Sequence, residues 1–276
     1  MPTSRLSLPI APSERIDIVD IIRGFAIFGI LLVNMLALSG PYWTFEPWAL
    51  SAAFWDRAAE LVILGLGQGA FYPILAILFG LGFGLQVNRA SARGEKLTRA
   101  FRSRMRWLLV FGLIHGLLLW EGDILACYAI AGFCLPWFAN ASAGKTLKWG
   151  AGLLLTIFIL FAALMLLASF DPESSEGLYT KATPKAIAAE IDRYGRSGFV
   201  DLVLGRLEDL GLFLALLLIN VPWSFGLFLI GLWVVKSGKL ANWRNERPFI
   251  ISVLRVALPL AIASKGLLTA AIALDS

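Results

Sequence analysis

The chain has one histidine, His115, which lies in an apolar stretch five residues before Trp120 and eight before Asp123. Imidazole is the side chain best suited to take and return a proton near neutral pH, and a nearby carboxylate sets its tautomer. Asp123 and Glu121 are the carboxylates within reach, so His115 and Asp123 form a candidate proton-transfer pair. The plainer reading of a lone histidine in an apolar helix is a hydrogen-bonded packing residue. No serine-histidine-aspartate arrangement is legible.

A second group lies near the N-terminus. Asp20 and Arg23 are spaced i and i+3, which lets them pair on one helical face. They mark either a functional charged pair or a simple interfacial stop, with the arginine reaching towards lipid phosphates. Asn34, about 16 Å further along the same helix axis, is a polar group that needs a partner in another helix. Gln68 and Tyr72 sit near one end of the next apolar run, where they face a cavity or simply pack.

Gly65, Gly67 and Gly69, followed by Gly80, Gly82 and Gly84, look at first like a phosphate-cradling loop, but no strand precedes them and no Lys-Ser/Thr follows. Close helix contacts explain them better. Cys127 and Cys134 are seven residues apart, about 10 Å on a helix, which is too far for a disulfide. With a single histidine beside them, no structural zinc site is expected.

Helices must position all these groups, and the solvent around those helices is lipid. Hydrophobic residues make up 58% of the 276 positions and charged residues only 16%, with a mean hydropathy of +0.77; a soluble domain of this size needs a far more charged surface. Apolar runs long enough for the roughly 30 Å hydrocarbon core recur throughout. The fold class is therefore all-α, a polytopic transmembrane helical bundle of about seven spans. They are expected over residues 18–39, 69–87, 105–120, 124–138, 147–170, 207–235 and 249–274.

Residues 47–66 suit an interfacial helix with Trp48 and Trp55 as anchors. Residues 171–206 form a hydrophilic loop with a surface helix at about 184–194. The sixth run is long and contains Asn220, Pro222 and Gly226, which predicts tilt and a kink. A secretory signal at the first run is disfavoured by its long polar lead and by Asp20 and Arg23.

The net charge of +5 does not point to nucleic acid, because its distribution follows the loops. Arg5, Arg15 and Arg23, the run from Arg89 and Arg93 through Lys96, Arg99, Arg102, Arg104 and Arg106, then Lys145, Lys148, Lys236, Lys239, Arg244 and Arg247 all fall on one predicted side. The other side has Arg57, Lys181, Lys185, Arg193, Arg196 and Arg206, spread through longer loops. The positive-inside rule then puts the N-terminus in the cytoplasm, the C-terminus outside and residues 171–206 in the extracytoplasmic space.

Three stretches are distinctive together: RIDIVDIIRGFAIFGILLVN at 15–34, FYPILAILFGLGFG at 71–84 and HGLLLWEGDIL at 115–125. In this combination they resemble the YeiB-like family of bacterial inner-membrane proteins, whose function is unknown. The likeness is strong over about residues 15–140 and rests on hydrophobic pattern beyond. In its first helix that family is in turn similar to membrane acyltransferases of the heparan-alpha-glucosaminide N-acetyltransferase type. Those enzymes move an acyl group from a cytoplasmic donor to an acceptor across the membrane. The resemblance implies a multi-pass protein of the bacterial inner membrane, with acyl-CoA as donor and an envelope glycan or lipid as acceptor.

Two departures qualify what carries over. The acetyltransferases use a histidine just after the first helix, and residues 40–50 here contain none, so His115 would have to serve from another helix. The family pattern also continues through further helices, so this sequence is expected to be a shortened member or a truncated reading frame. The competing class is a small-solute or lipid transporter in which Asn34, Gln68, His115 and Asn220 line a path beside a helix broken near Pro222. Neither oligomeric state nor substrate identity is legible.

Overall fold

The computed structural model describes residues 17–38, 54–67, 69–94, 98–120, 122–170, 184–208, 210–241, 245–248, 251–255, 258–259, 261–263 and 266. The described residues contain helices and no strand. In chain order these are α1 (Asp17–Leu38), α2 (Phe54–Val62) running into a π-turn (Ile63–Gly67), α3 (Phe71–Ala92), α4 (Thr98–Ile114) running into a second π-turn (His115–Leu119), and α5 (Leu125–Cys134) closed by a 3-10 turn (Leu135–Phe138). They are followed by α6 (Ala143–Phe170), α7 (Pro184–Arg196), α8 (Phe199–Glu208) and α9 (Leu210–Lys236).

α3 and α9 form the centre of the bundle, and glycine makes their approach close. A Cβ on Gly80 would collide with the carbonyl of Phe228, and one on Gly231 with the carbonyl of Ile77. In lipid there is little hydrophobic drive between helices, so backbone contact through small residues holds the pair together. Around this seam Phe79 stacks on Phe228 with ring centroids 4.5 Å apart, and Tyr128 of α5 meets both rings edge-on. Phe83, Phe228, Leu229 and Leu232 are essentially sealed from solvent. Outward-facing Phe158, Leu166, Leu167 and Leu218 are widely exposed, as a lipid-facing surface requires.

Residue pairings give the helix directions. Tyr72 meets Ser224 and Gly84 meets Val235, so α3 and α9 run parallel. Val33 meets Gly67 while Val19 packs with Leu81, so α1 opposes α3. Gly112 meets Ala126 and Gly132 meets Met105, so α4 opposes α5; Gly226 meets Leu154 and Gly150 meets Leu229, so α6 opposes α9. α1, α4 and α6 therefore run one way and α3, α5 and α9 the other. Arg23, Arg89, Arg104 and Lys236 gather at one end, and His115, Asp123 and Arg206 at the opposite end.

Four helical segments are long and apolar enough to cross a bilayer: Asp17–Met35, Phe71–Ala92, Ala143–Leu164 and Phe213–Lys236. The expected span at 124–138 corresponds to a shorter apolar helix, Leu125–Phe138, about 21 Å long against a core of roughly 30 Å. The expected span at 105–120 begins earlier, at Thr98, so Arg99, Arg102, Arg104 and Arg106 lie on α4 itself instead of in a loop. Most of 249–274 lies outside the described residues.

One local expectation is corrected. Gly69 is a turn residue with φ of 72°, not a helix contact. The sixth run is one unbroken helix through Pro222, starting at Leu210 after a separate helix, α8, has already ended. Proline removes one backbone donor, and nearby side chains take up carbonyls in the same turns: Asn220 Nδ2 donates to Leu216 O at 3.0 Å and Ser224 Oγ to Asn220 O at 2.6 Å.

At the basic end, the Lys236 ammonium donates to the carbonyls of Phe138, at 2.8 Å, Ala139, at 2.9 Å, and Ala141. All three of its protons are used on the end of the α5 unit, where unpaired carbonyls accumulate.

Candidate functional site

The site at the His115 end is built by a break in a helix. α4 loses its regular spacing at His115, and the widened turn closes through Trp120 N–H donating to His115 O at 2.8 Å. Such π-turns are uncommon and concentrate at functional sites. Trp120 then leaves the helix in an extended conformation, with φ of −158° and ψ of 129°. Gly122 allows the reversal, because any Cβ there would strike the Trp120 ring. The chain returns through Asp123 into α5.

Two glycines bring the returning helix close. Gly112 leaves no room for a Cβ beside the Ala126 backbone, and a Cβ on Gly116 would stand 3.4 Å from Asp123 Cβ and 3.7 Å from the Phe213 ring. As a result His115 Nδ1 and Asp123 Oδ1 are 3.1 Å apart. The other carboxylate oxygen accepts from the Ala126 N–H at 2.8 Å, so Asp123 also ties down the start of α5. The Asp123 side chain is fully shielded, while that of His115 is 35% exposed. With the carboxylate as acceptor, Nδ1 carries the proton and Nε2 presents a lone pair. The Trp120 ring stands edge-on to the imidazole at 6.4 Å.

Arg206 of α8 completes this end, and sequence reasoning placed it only as a loop charge. It is 8% exposed, and its guanidinium donates to Leu117 O at 3.3 Å and Leu119 O at 3.0 Å. These carbonyls lie at the end of the π-turn, where the normal helical acceptor pattern has stopped. Nε of Arg206 is buried without a hydrogen-bond partner among the described residues. The sequence signal that points to this region is the Gly112 and Gly116 spacing around His115, a small-xxx-small pattern.

The remaining candidates do not converge on His115. Asp20 and Arg23 do pair, at 2.8 Å, with both side chains about half exposed, but at the basic end. There Arg23 reaches over α3 to within 4.0 Å of where a Gly82 Cβ would stand. Gln86 donates to Gly82 O at 3.1 Å and accepts from Arg104 at 3.3 Å. Two guanidinium groups thus flank one turn of α3.

Tyr72 is bonded through its hydroxyl to Ser224, and its carbonyl accepts from the Tyr128 hydroxyl at 3.2 Å; this cluster lies deeper along α5 than Asp123. Asn34 is half-buried on α1. Gln68 and Glu121 lie outside the described residues. Cys127 and Cys134 are free thiols, the first buried near the Tyr128 cluster.

Comparison with known proteins finds uncharacterized relatives. The chain is 29% identical over 276 residues to the uncharacterized protein YxaH of Bacillus subtilis, covering 94% of this chain and 67% of that protein. It is 33% identical over 241 residues to the uncharacterized protein YeiB of Escherichia coli, covering 86% of this chain and 60% of YeiB. A 39.9 kDa uncharacterized protein from the amylase 3' region of Bacillus acidopullulyticus is 39% identical over 155 residues, 56% of this chain and 42% of that protein. The chain thus spans only part of the length of these relatives. No family model matches the chain and no solved structure matches it. The likeness to YxaH and YeiB supports a YeiB-like family and, with the apolar helices, a membrane protein.

Proposed function

We propose that this chain is a YeiB-like protein of the bacterial inner membrane that transfers acyl groups from a cytoplasmic thioester donor to an envelope glycan or lipid. The observation that carries the reading is the 3.1 Å contact of His115 Nδ1, on a side chain that is 35% exposed, with a fully shielded Asp123; in this reading Nε2 is the base. In this reading the acceptor's hydroxyl or amine loses its proton to Nε2 as it attacks the acyl carbonyl. The C–S bond breaks, and the departing thiolate takes the proton from Nε2, which returns His115 to its neutral form.

The donor, acyl-CoA by its chemistry, binds through its phosphates at the opposite end, where Arg23 and Arg104 flank Gly82 and Gln86. Guanidinium groups suit phosphates because their donors are planar and paired. Arg104 and His115 lie on one continuous helical stretch about 16 Å apart along its axis, a gap for an extended thioester arm to bridge. The gathering of Arg89, Arg99, Arg102, Arg104 and Arg106 at that end supports a cytoplasmic N-terminus.

The transport alternative draws less support. Asn220, beside Pro222, donates to Leu216 in its own helix, and Ser224 joins Asn220 O to Tyr72. These groups are turned onto one another and leave little for a passing solute.

The test compares envelope lipids and glycans by mass spectrometry in cells carrying the intact gene, a deletion and His115→Ala. An acyl mass present only with the intact gene is the expected result. Full restoration by His115→Ala would remove the histidine from the mechanism, and no acyl difference on deletion would overturn transfer itself.

A further inference from the structure

The exposed side of His115 is surrounded by apolar side chains. The side chains one turn before it, beside it and one turn after it are all apolar and exposed: Phe111 at 58%, Ile114 at 46%, Leu118 at 39% and Leu119 at 65%. Its polar side is closed by Asp123, which is fully shielded, and by α8, which Arg206 ties to the π-turn. A water-filled entrance would have polar side chains on its rim, whereas hydrocarbon requires apolar ones.

The neighbouring helices fix where the membrane surface lies. On α8, Val200, Leu204 and Leu207 form an i, i+4, i+7 stripe that is 67%, 52% and 46% exposed. This stripe lies on the face away from buried Gly205 and Arg206. On α7 the Asp192 and Arg196 pair is strongly exposed, and Ile191 is 51% exposed. Such a division between charged and apolar groups suits a helix lying in the interface, with its charges in water and its apolar residues among acyl chains. By this division α8 lies at the membrane surface, and the π-turn that Arg206 holds to it lies at the same level.

We infer that the acceptor is a membrane lipid, entering sideways along Phe111, Ile114 and Leu118 and presenting a headgroup hydroxyl or amine to Nε2 of His115. This rests on the acyl-transfer reading and narrows it from a glycan or lipid to a lipid. The tail lies along α4 and the headgroup reaches the imidazole beside Trp120, a residue type that favours the membrane interface.

The test uses the full chain in vesicles of phosphatidylethanolamine and phosphatidylglycerol that contain phosphatidylethanolamine with a photoactivatable diazirine in its acyl tail. Cross-linked peptides should map to residues 111–119, and Ile114→Trp, which fills the path, should lose most of that capture. In parallel, Leu118→Cys and Asp192→Cys, each made with Cys127→Ala and Cys134→Ala, are spin-labelled and their collisions with oxygen and with a water-soluble nickel chelate are measured. Oxygen should dominate at 118 and the chelate at 192, which also reports that the variants are folded.

Chelate access at 118 equal to that at 192, or no cross-link within 111–119, overturns the lateral entry. Lipid capture with no acyl difference on gene deletion would leave the lipid path standing and remove acyl transfer. An acylated soluble glycan without lipid capture would do the reverse.

Discussion

His115 Nδ1 and Asp123 Oδ1 stand 3.1 Å apart although seven residues of chain, a π-turn and a complete reversal separate them. The contact depends on small residues at Gly112, Gly116 and Gly122. It joins a partly exposed imidazole to a carboxylate that is fully shielded and doubly bonded. An acid so placed orients a base.

Asp123→Asn separates orientation from folding. The amide oxygen still accepts from Ala126 N–H, but the NH2 group turned to His115 would donate to Nδ1 and move the ring proton to Nε2. Acyl product should fall by roughly 10²-fold or more, the usual worth of a positioned base, with little change in thermal unfolding. Asp123→Ala should also lose the cap, costing about 1 kcal/mol of stability. Product mass and unfolding temperature, measured on the same preparations, distinguish the two effects.

Arg206→Met removes the donors to Leu117 O and Leu119 O while keeping an apolar stem. Two part-buried carbonyls then lose a charged donor, which costs about 1–3 kcal/mol each. Amide hydrogen exchange should rise over residues 115–120 and stay unchanged in α6. Unaltered exchange at the π-turn would mean that Arg206 does not hold it.

Gly80→Ala and Gly231→Ala each put a methyl group into the backbone of the facing helix, so the seam of α3 and α9 must open. A loss of about 1–3 kcal/mol is expected for such overpacking. Gly144 and Gly152 on α6 have open space at the Cβ position. Alanine there should be neutral or stabilise by up to about 1 kcal/mol through helix propensity. Thermal unfolding in one detergent orders the four variants.

Lys236→Met keeps the side-chain stem and removes the charged donor to the carbonyls of Phe138, Ala139 and Ala141, of which Phe138 O keeps only the Ala141 N–H. Hydrogen bonds from a charged donor contribute about 1.5–3 kcal/mol each, so the variant should unfold at markedly lower temperature. Acyl product per folded molecule should be unchanged, since all three Lys236 protons are spent on backbone carbonyls and none is left for a donor phosphate. A selective loss of product would give Lys236 a role beyond packing.

Several features were legible before the fold. The i, i+3 spacing of Asp20 and Arg23 anticipates their ion pair, because both residues lie on one helix and need no tertiary information. Gly80 and Gly84 read as close contacts, and the facing residues turned out to be Phe228, Leu232 and Val235. Arg206 was not legible: in sequence it is one more charge in a hydrophilic stretch, and its burial depends on α8 folding back onto α4. Pro222 predicted a kink; the helix is continuous through it, with Asn220 and Ser224 bonding carbonyls in neighbouring turns.

The sequence by itself determined that the chain is helical and lives in lipid, because hydrophobicity summed over about 20 residues outweighs any local preference. It also determined that basic residues favour one end, since charge is excluded from hydrocarbon regardless of how helices pack. Only the tertiary structure decided which polar groups meet. The π-turn at His115, the glycine contacts that draw α5 against α4 and the return of α8 over Leu117 and Leu119 are pairings between segments, and in lipid such pairings rest on shape and hydrogen bonding, which a one-dimensional pattern of hydrophobicity does not encode.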